Sequence, residues 1–156
     1  MIILIGYYTN SQYRAFWRAL RKDIMELNFS IAELLESDTA KLNNIKNVPT
    51  LSAIDNMLRL IFYVLQPLRE KLGKPVIILS GFRCAALNAK VGGKPTSQHL
   101  TGEAADIKVN GCSASTLFEY IKGSGVPYDQ CILEYNQWVH ISYRHGKNRR
   151  QAFKID

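Results

Sequence analysis

The sequence predicts an α+β domain in which helices pack on an antiparallel β-sheet. Two observations carry this reading: helical periodicity dominates the first half, and short β-rich runs joined by tight turns dominate the second. A third bounds it. The chain has 156 residues, 47% of them hydrophobic, enough for one domain with a sizeable core and too few for two.

Along the chain, "MIILIGYY" reads as a short strand. Asn10 then caps a helix whose apolar residues Tyr13, Phe16, Trp17, Leu20 and Ile24 recur at three- and four-residue steps. "SIAE" (Ser30 to Glu33) has capping-box spacing, so a second helix should begin at Ile31. "NNIKNVPT" reads as a loop. Leu51 to Leu72 is a long apolar-periodic helix with Gly73 as its stop. Pro67 should kink or split it, because proline lacks the N–H and crowds the preceding turn.

The second half changes texture. "VIILS" is a buried strand, "CAALNAKVGG" a short helix ended by glycines, and "AADIKV" a strand. Ser113 caps a helix running through Ile121. "QCILEY" and "WVHISY" form a hairpin around "NQ", and "RHGKNRR" leads to a last strand near "QAFKI".

Composition removes several function classes. Twenty Lys and Arg against thirteen Asp and Glu give a net charge of +7, which favours a polyanionic partner without choosing one. Nucleic acid is not expected, because no element interleaves basic and aromatic residues on one face. No apolar run reaches the roughly 20 residues of a transmembrane span. "MIILIG" lacks the basic flank and cleavage site of a signal peptide, so synthesis in the cytoplasm is expected. Cys84, Cys112 and Cys131 are odd in number and have no CxxC spacing, which indicates neither a disulfide framework nor a thiolate metal site.

The polar residues that need explaining begin with "SQHLTGEAAD". Asp106 sits among apolar neighbours, where a carboxylate is costly unless paired or bound to a cation. Gly102 allows the chain to fold back and bring His99 toward it. Taken alone, His99 reads as an ordinary loop histidine and Asp106 as a strand-edge acid. His140, inside the β-rich "WVHIS", changes the balance. Two imidazoles and one carboxylate, with no fourth protein ligand, make up a catalytic zinc site that leaves one position for water.

Such a site needs a proton acceptor and a group that holds substrate. Glu134, just before the hairpin turn, is the candidate base, although it also reads as a solvated edge acid. Arg83, in "SGFR", is the candidate clamp for a carboxylate or oxyanion, its alternative being an ion pair with an acid such as Glu103. His145 lies in a basic, solvated turn and is left aside.

"SGFR", "LNAKVGGKPTSQHLTGEAADI" and "ILEYNQWVHISY" together resemble the zinc D-Ala-D-Ala carboxypeptidase family of bacteria and phages, which shares its fold with the hedgehog signalling domain. The likeness covers roughly Leu27 to the end and implies a zinc peptidase domain over 27–156, with 1–26 as an added strand and helix packed on it. It implies one zinc ion on His99, Asp106 and His140. Arg83 matches the arginine that holds the substrate and polarises the scissile carbonyl. Ser97 matches a serine lining the substrate cleft, and Trp138 of the Trp-x-His pattern joins it there.

One departure bears on the chemistry. Several family members carry the catalytic acid three residues before the last histidine, and here that position is Gln137, which cannot accept a proton. Glu134 is chosen in its place. The expected activity is hydrolysis of peptidoglycan stem peptides or cross-links beside a D-amino acid, as a carboxypeptidase or an endolysin-type endopeptidase reaching the wall after phage-type release. A monomer is expected. The competing reading is a zinc domain that binds wall fragments or a protein partner without cutting.

Overall fold

The computed structural model describes residues 27–156. The strand and helix expected before them, and the boundary at residue 26, lie outside the described residues.

Helix α1 (Ile31–Leu35) starts where the capping box predicts: Ser30 Oγ accepts the Glu33 N–H. A further one-turn helix, α2 (Asp38–Leu42), is capped in the same way by Ser37. The long apolar segment is a single rod in three parts: α3 (Leu51–Leu60), a π-helical turn (Ile61–Leu65) and α4 (Gln66–Leu72). Pro67 explains the middle part. The widened turn, in which the Gln66 N–H reaches back to the Ile61 carbonyl, accommodates the ring that a regular turn would press against the carbonyl four residues back. The expected kink is therefore a π-turn ahead of the proline. Gly73, at φ 61°, closes the rod in the left-handed region.

Strand β1 (Val76–Ser80) follows, then α5 (Ala85–Lys90), a 3₁₀ turn (Gln98–Thr101), β2 (Ala104–Val109), α6 (Ala114–Gly123), β3 (Gln130–Glu134), β4 (Trp138–Ser142) and β5 (Gln151–Ile155). The sheet order is β1-β2-β4-β3-β5. All pairings are antiparallel except β3 with β5, which run parallel. The expected antiparallel sheet thus carries one parallel pairing at its edge, and the reason is geometric. The chain reverses after β4, but both edges of β4 are already taken by β2 and β3, so β5 adds to the free edge of β3 and must run with it.

Period-two alternation divides the sheet into two faces. Ala105, Ile107, Val109, Cys131, Leu133, Val139 and Ile141 point to the helices and pack with Met57, Leu60, Leu65, Leu117 and Ile121, all of which are buried. Each Val, Leu, Ile or Met among them contributes about 1.5–3 kcal/mol through burial. The opposite face carries Asp106, Ile132, Glu134, Trp138 and His140. Among the described residues no helix is long and apolar enough to cross a membrane, and all three cysteines are free thiols.

Candidate metal centre

Three elements bring the predicted ligands together. Asp106 on β2 and His140 on β4 are direct cross-strand partners, so the sheet register alone places them side by side. His99 arrives on the 3₁₀ turn, which Ser97 caps by accepting the His99 N–H. Gly102 ends the turn at φ 73°, where an added Cβ would stand 2.5 Å from the Ala53 carbonyl oxygen. That position requires glycine on both counts.

His99 Nε2, His140 Nδ1 and Asp106 Oδ1 form a triangle with sides of 3.2, 3.1 and 3.2 Å. Ligand atoms at about 2.0–2.1 Å from one tetrahedral ion stand roughly 3.3–3.4 Å apart, so the triangle has the right size for a single small cation. Its protonation points the same way. The other nitrogen of His99, Nδ1, lies 2.6 Å from the Gly81 carbonyl, and a carbonyl only accepts, so Nδ1 carries the proton. Nε2 is therefore the ring atom turned to Asp106 and His140, the arrangement of a metal-ligating imidazole whose second nitrogen is held by a carbonyl. Among the described residues these three are the group of His, Cys, Asp and Glu side chains arranged to hold a metal, and all three are buried.

The loop after β1 supports this geometry. An added Cβ on Gly81 would meet the Leu34 carbonyl oxygen at 2.3 Å, and the Phe82 N–H donates to that same oxygen at 2.8 Å. The loop is thus pressed against α1 with the Gly81 carbonyl aimed at His99. Asn47 joins it to the same helix, donating to the Leu35 and Phe82 carbonyls and accepting the Cys84 N–H.

Arg83 reaches the site, but its partner is Asp106 rather than Glu103. Its NH2 group donates to Asp106 Oδ2 at 2.6 Å and its Nε–H to Ser80 Oγ at 2.9 Å. Glu103 instead faces Arg144. Asp106 therefore uses one oxygen toward the imidazoles and the other toward Arg83. Burial alone would raise its pKa, but the imidazoles of His99 and His140 outweigh burial and hold the carboxyl far below the usual range. Two of the five guanidinium N–H donors are committed, which leaves donors for a further oxygen.

Glu134 and Trp138 are cross-strand partners on the face that carries His140, and both are half-buried. The Glu134 carboxylate has no ion pair or hydrogen bond among the described residues. Gln137 lies instead in the exposed turn, where its N–H donates to the Glu134 carbonyl. Tyr135 and Asn136 take left-handed backbone angles, both at φ 51°, and tighten the hairpin. Among the described residues the buried Trp138 indole N–H has no partner. Ser97, half-buried, is engaged in its cap. His145 is exposed, as expected.

Sequence reasoning passed over one buried group near the site. Asp129, fully buried, accepts hydrogen bonds from the Arg149 backbone and guanidinium and from Gln98 Nε2. It ties the segment after β4 to the turn that carries His99.

The peptidase M15 family profile matches residues 27–142. The chain belongs to the peptidase M15 family. A zinc D-Ala-D-Ala carboxypeptidase from Streptomyces albus G is 34% identical over 86 residues, which are 54% of this chain and 32% of that protein. The chain thus spans about a third of the length of the curated relative it matches. Within this M15 domain, the three converging side chains, Arg83, Ser97, Glu134 and Trp138 all fall inside the matched segment. Arg149 and β5 fall beyond it.

Proposed function

We propose that the protein is a zinc-dependent peptidase that hydrolyses peptidoglycan stem peptides beside a D-amino acid, as a carboxypeptidase. The observation that carries this is the buried triangle of His99, Asp106 and His140, with one ligand atom of each turned to the other two, in a chain of the M15 family. Two nitrogens and one oxygen are the donor set of a catalytic zinc site rather than of a cysteine-closed structural one. A bound zinc ion supplies Lewis acidity, polarising a carbonyl and bringing the pKa of water to about 7.

The chain's own residues do the rest. His99, Asp106 and His140 hold the ion, and Gly81 and Arg83 hold those ligands. Glu134, a carboxylate on the same sheet face without an ion pair among the described residues, takes the proton of the attacking water as its oxygen bonds to the scissile carbonyl carbon. It returns that proton to the nitrogen as the C–N bond breaks, so one water is consumed and an acid and an amine leave. The uncommitted N–H groups of Arg83 donate to the oxygen on which negative charge develops. The net charge of +7 suits an anionic wall.

Zinc-loaded and chelator-treated protein incubated with purified peptidoglycan, with the soluble products read by mass spectrometry, tests the reading. Loss of a terminal residue from stem peptides with zinc alone is the expected result. Binding to the wall without any new product would support the non-cutting alternative.

A further inference from the structure

The sheet register sets two of the three ligand positions and leaves the third to the 3₁₀ turn. Asp106 and His140 are cross-strand partners. His99 stands on a single turn, Gln98–Thr101, whose own hydrogen bonds are too few to fix it. One side of that turn is held by the loop after β1, through the Gly81 carbonyl and the Arg83 N–H, which donates to the His99 carbonyl at 3.1 Å. The other side is held by Asp129.

Asp129 immediately precedes β3 and is wholly enclosed. Its N–H donates to the carbonyl of Ser142, two residues past His140, at 2.7 Å, and its carbonyl accepts the Gln151 N–H at 2.9 Å. Its backbone is thus fixed against β4 and β5. From this frame its carboxylate reaches the turn, accepting a hydrogen bond from Gln98 Nε2 at 2.9 Å. Gln98 also closes the turn, because its carbonyl accepts the Glu103 N–H and the Thr101 hydroxyl at 3.0 and 3.1 Å. Among the described residues the buried Gln98 Oε1 has no partner, so Asp129 is the group that orients this amide.

Arg149 aims the carboxylate. Its backbone N–H and Nε–H donate to Asp129 Oδ1 at 2.8 and 2.9 Å, and its NH2 group donates to Oδ2. Both oxygens are therefore fixed in direction where Gln98 meets one of them. Arg149 and Gln151 lie beyond the residues that the family profile matches.

We propose that Asp129 is a positioning residue for the metal centre: held by Arg149, it sets through Gln98 where His99 stands relative to His140. The path from one imidazole to the other runs from His99 to its neighbour Gln98, by hydrogen bonds to Asp129 and Ser142, and two residues along β4 to His140. The 3.2 Å separation of the two ligand nitrogens depends on this path as well as on Gly81. The role rests on His99 being a zinc ligand. Groups that orient a ligand from behind are typically worth about 10–100-fold in metal affinity.

The test removes the link while Arg149 still satisfies Asp129. Methionine at position 98 matches glutamine in length but donates nothing. The Leu100 and Glu103 N–H groups donate within the turn, to the Ser97 and Gln98 carbonyls. In metal-free Gln98→Met these two amides should exchange with solvent about tenfold faster than in the parent, while the β4 amides keep their rates. Competition against a chromophoric chelator should show zinc bound about tenfold more weakly. Ile121→Val, in the helix-side core, should lower the melting temperature yet leave zinc affinity within about twofold. Parental exchange at Leu100 and Glu103 in Gln98→Met overturns the proposal, and so does parental zinc affinity in that variant where His99→Ala has lost it. An equal loss of affinity in Ile121→Val also overturns it, because affinity would then follow stability alone. Faster exchange in Gln98→Met with parental zinc affinity in His99→Ala supports the hold on the turn and counts only against His99 as a ligand.

Discussion

Replacing Asp106 by asparagine probes the centre more sharply than removing a histidine, because Asp106 accepts on both sides at once. One oxygen meets the two imidazole nitrogens at 3.1 and 3.2 Å, and the other meets Arg83 at 2.6 Å. Asparagine has one acceptor and one donor end. If its oxygen stays with the imidazoles, its NH2 group opposes the guanidinium, whose side chain is only 16% exposed. If it flips, its oxygen accepts from Arg83 and its NH2 group can donate to His99 Nε2, so the hydrogen bonds survive but the negative charge does not. Either way the buried guanidinium loses its anionic partner, at a cost of about 2–3 kcal/mol. Metal-free Asp106→Asn should therefore melt roughly 5–10 °C below the parent. Loss of the anionic ligand should weaken zinc binding by more than the roughly 10–100-fold typical of a supporting residue. Thermal unfolding in chelator and competition against a chromophoric zinc chelator measure the two effects. Zinc affinity equal to the parent's would refute the assignment of Asp106 as a ligand.

Glu134→Gln should retain zinc and fold while slowing hydrolysis by about 10²-fold or more, the range for a lost general base; turnover equal to the parent's would return the assignment to solvent. Arg83→Lys should keep much of the Asp106 ion pair but lose most activity, since an ammonium cannot donate in two fixed directions; steady-state kinetics with zinc analysis separates the two. Acid should unfold the metal-free protein partly through Asp129. Burial raises its pKa, but hydrogen bonds from Arg149 and Gln98 outweigh burial and hold the carboxyl below its usual value. Its contribution is therefore complete above about pH 4, the unfolded carboxyl's range, and is lost as pH falls through the lower folded value. Melting curves of Asp129→Asn should fall less steeply below about pH 4 than those of the parent.

What the sequence reveals depends on how local the cause is. Ser30 and Ser113 announce their helices because the cap acts over three residues. Gly73 and Pro67 act within one turn. The helix Asp38–Leu42 escapes because five residues are too few for apolar periodicity, although Ser37 before it was a usable cap signal. The parallel pairing of β5 depends on which strand edges are already occupied, which no local pattern encodes. The metal centre is an exception among long-range features. His99 and His140 lie far apart in sequence, but the spacing around each is distinctive, and the register joining Asp106 to His140 does the assembly. Asn47 and Asp129 remained hidden for the opposite reason. Both are polar residues of types usually exposed, and only the folded chain shows Asn47 gripping three backbone groups and Asp129 wholly enclosed.

X-ray absorption at the zinc edge of the purified, zinc-loaded protein tests the central claim most directly. The account predicts one zinc per chain with two imidazole ligands and only nitrogen or oxygen neighbours at about 2.0–2.2 Å, and loss of one imidazole contribution in His140→Ala. Sulfur neighbours at about 2.3 Å, or an unchanged spectrum in His140→Ala, would contradict it.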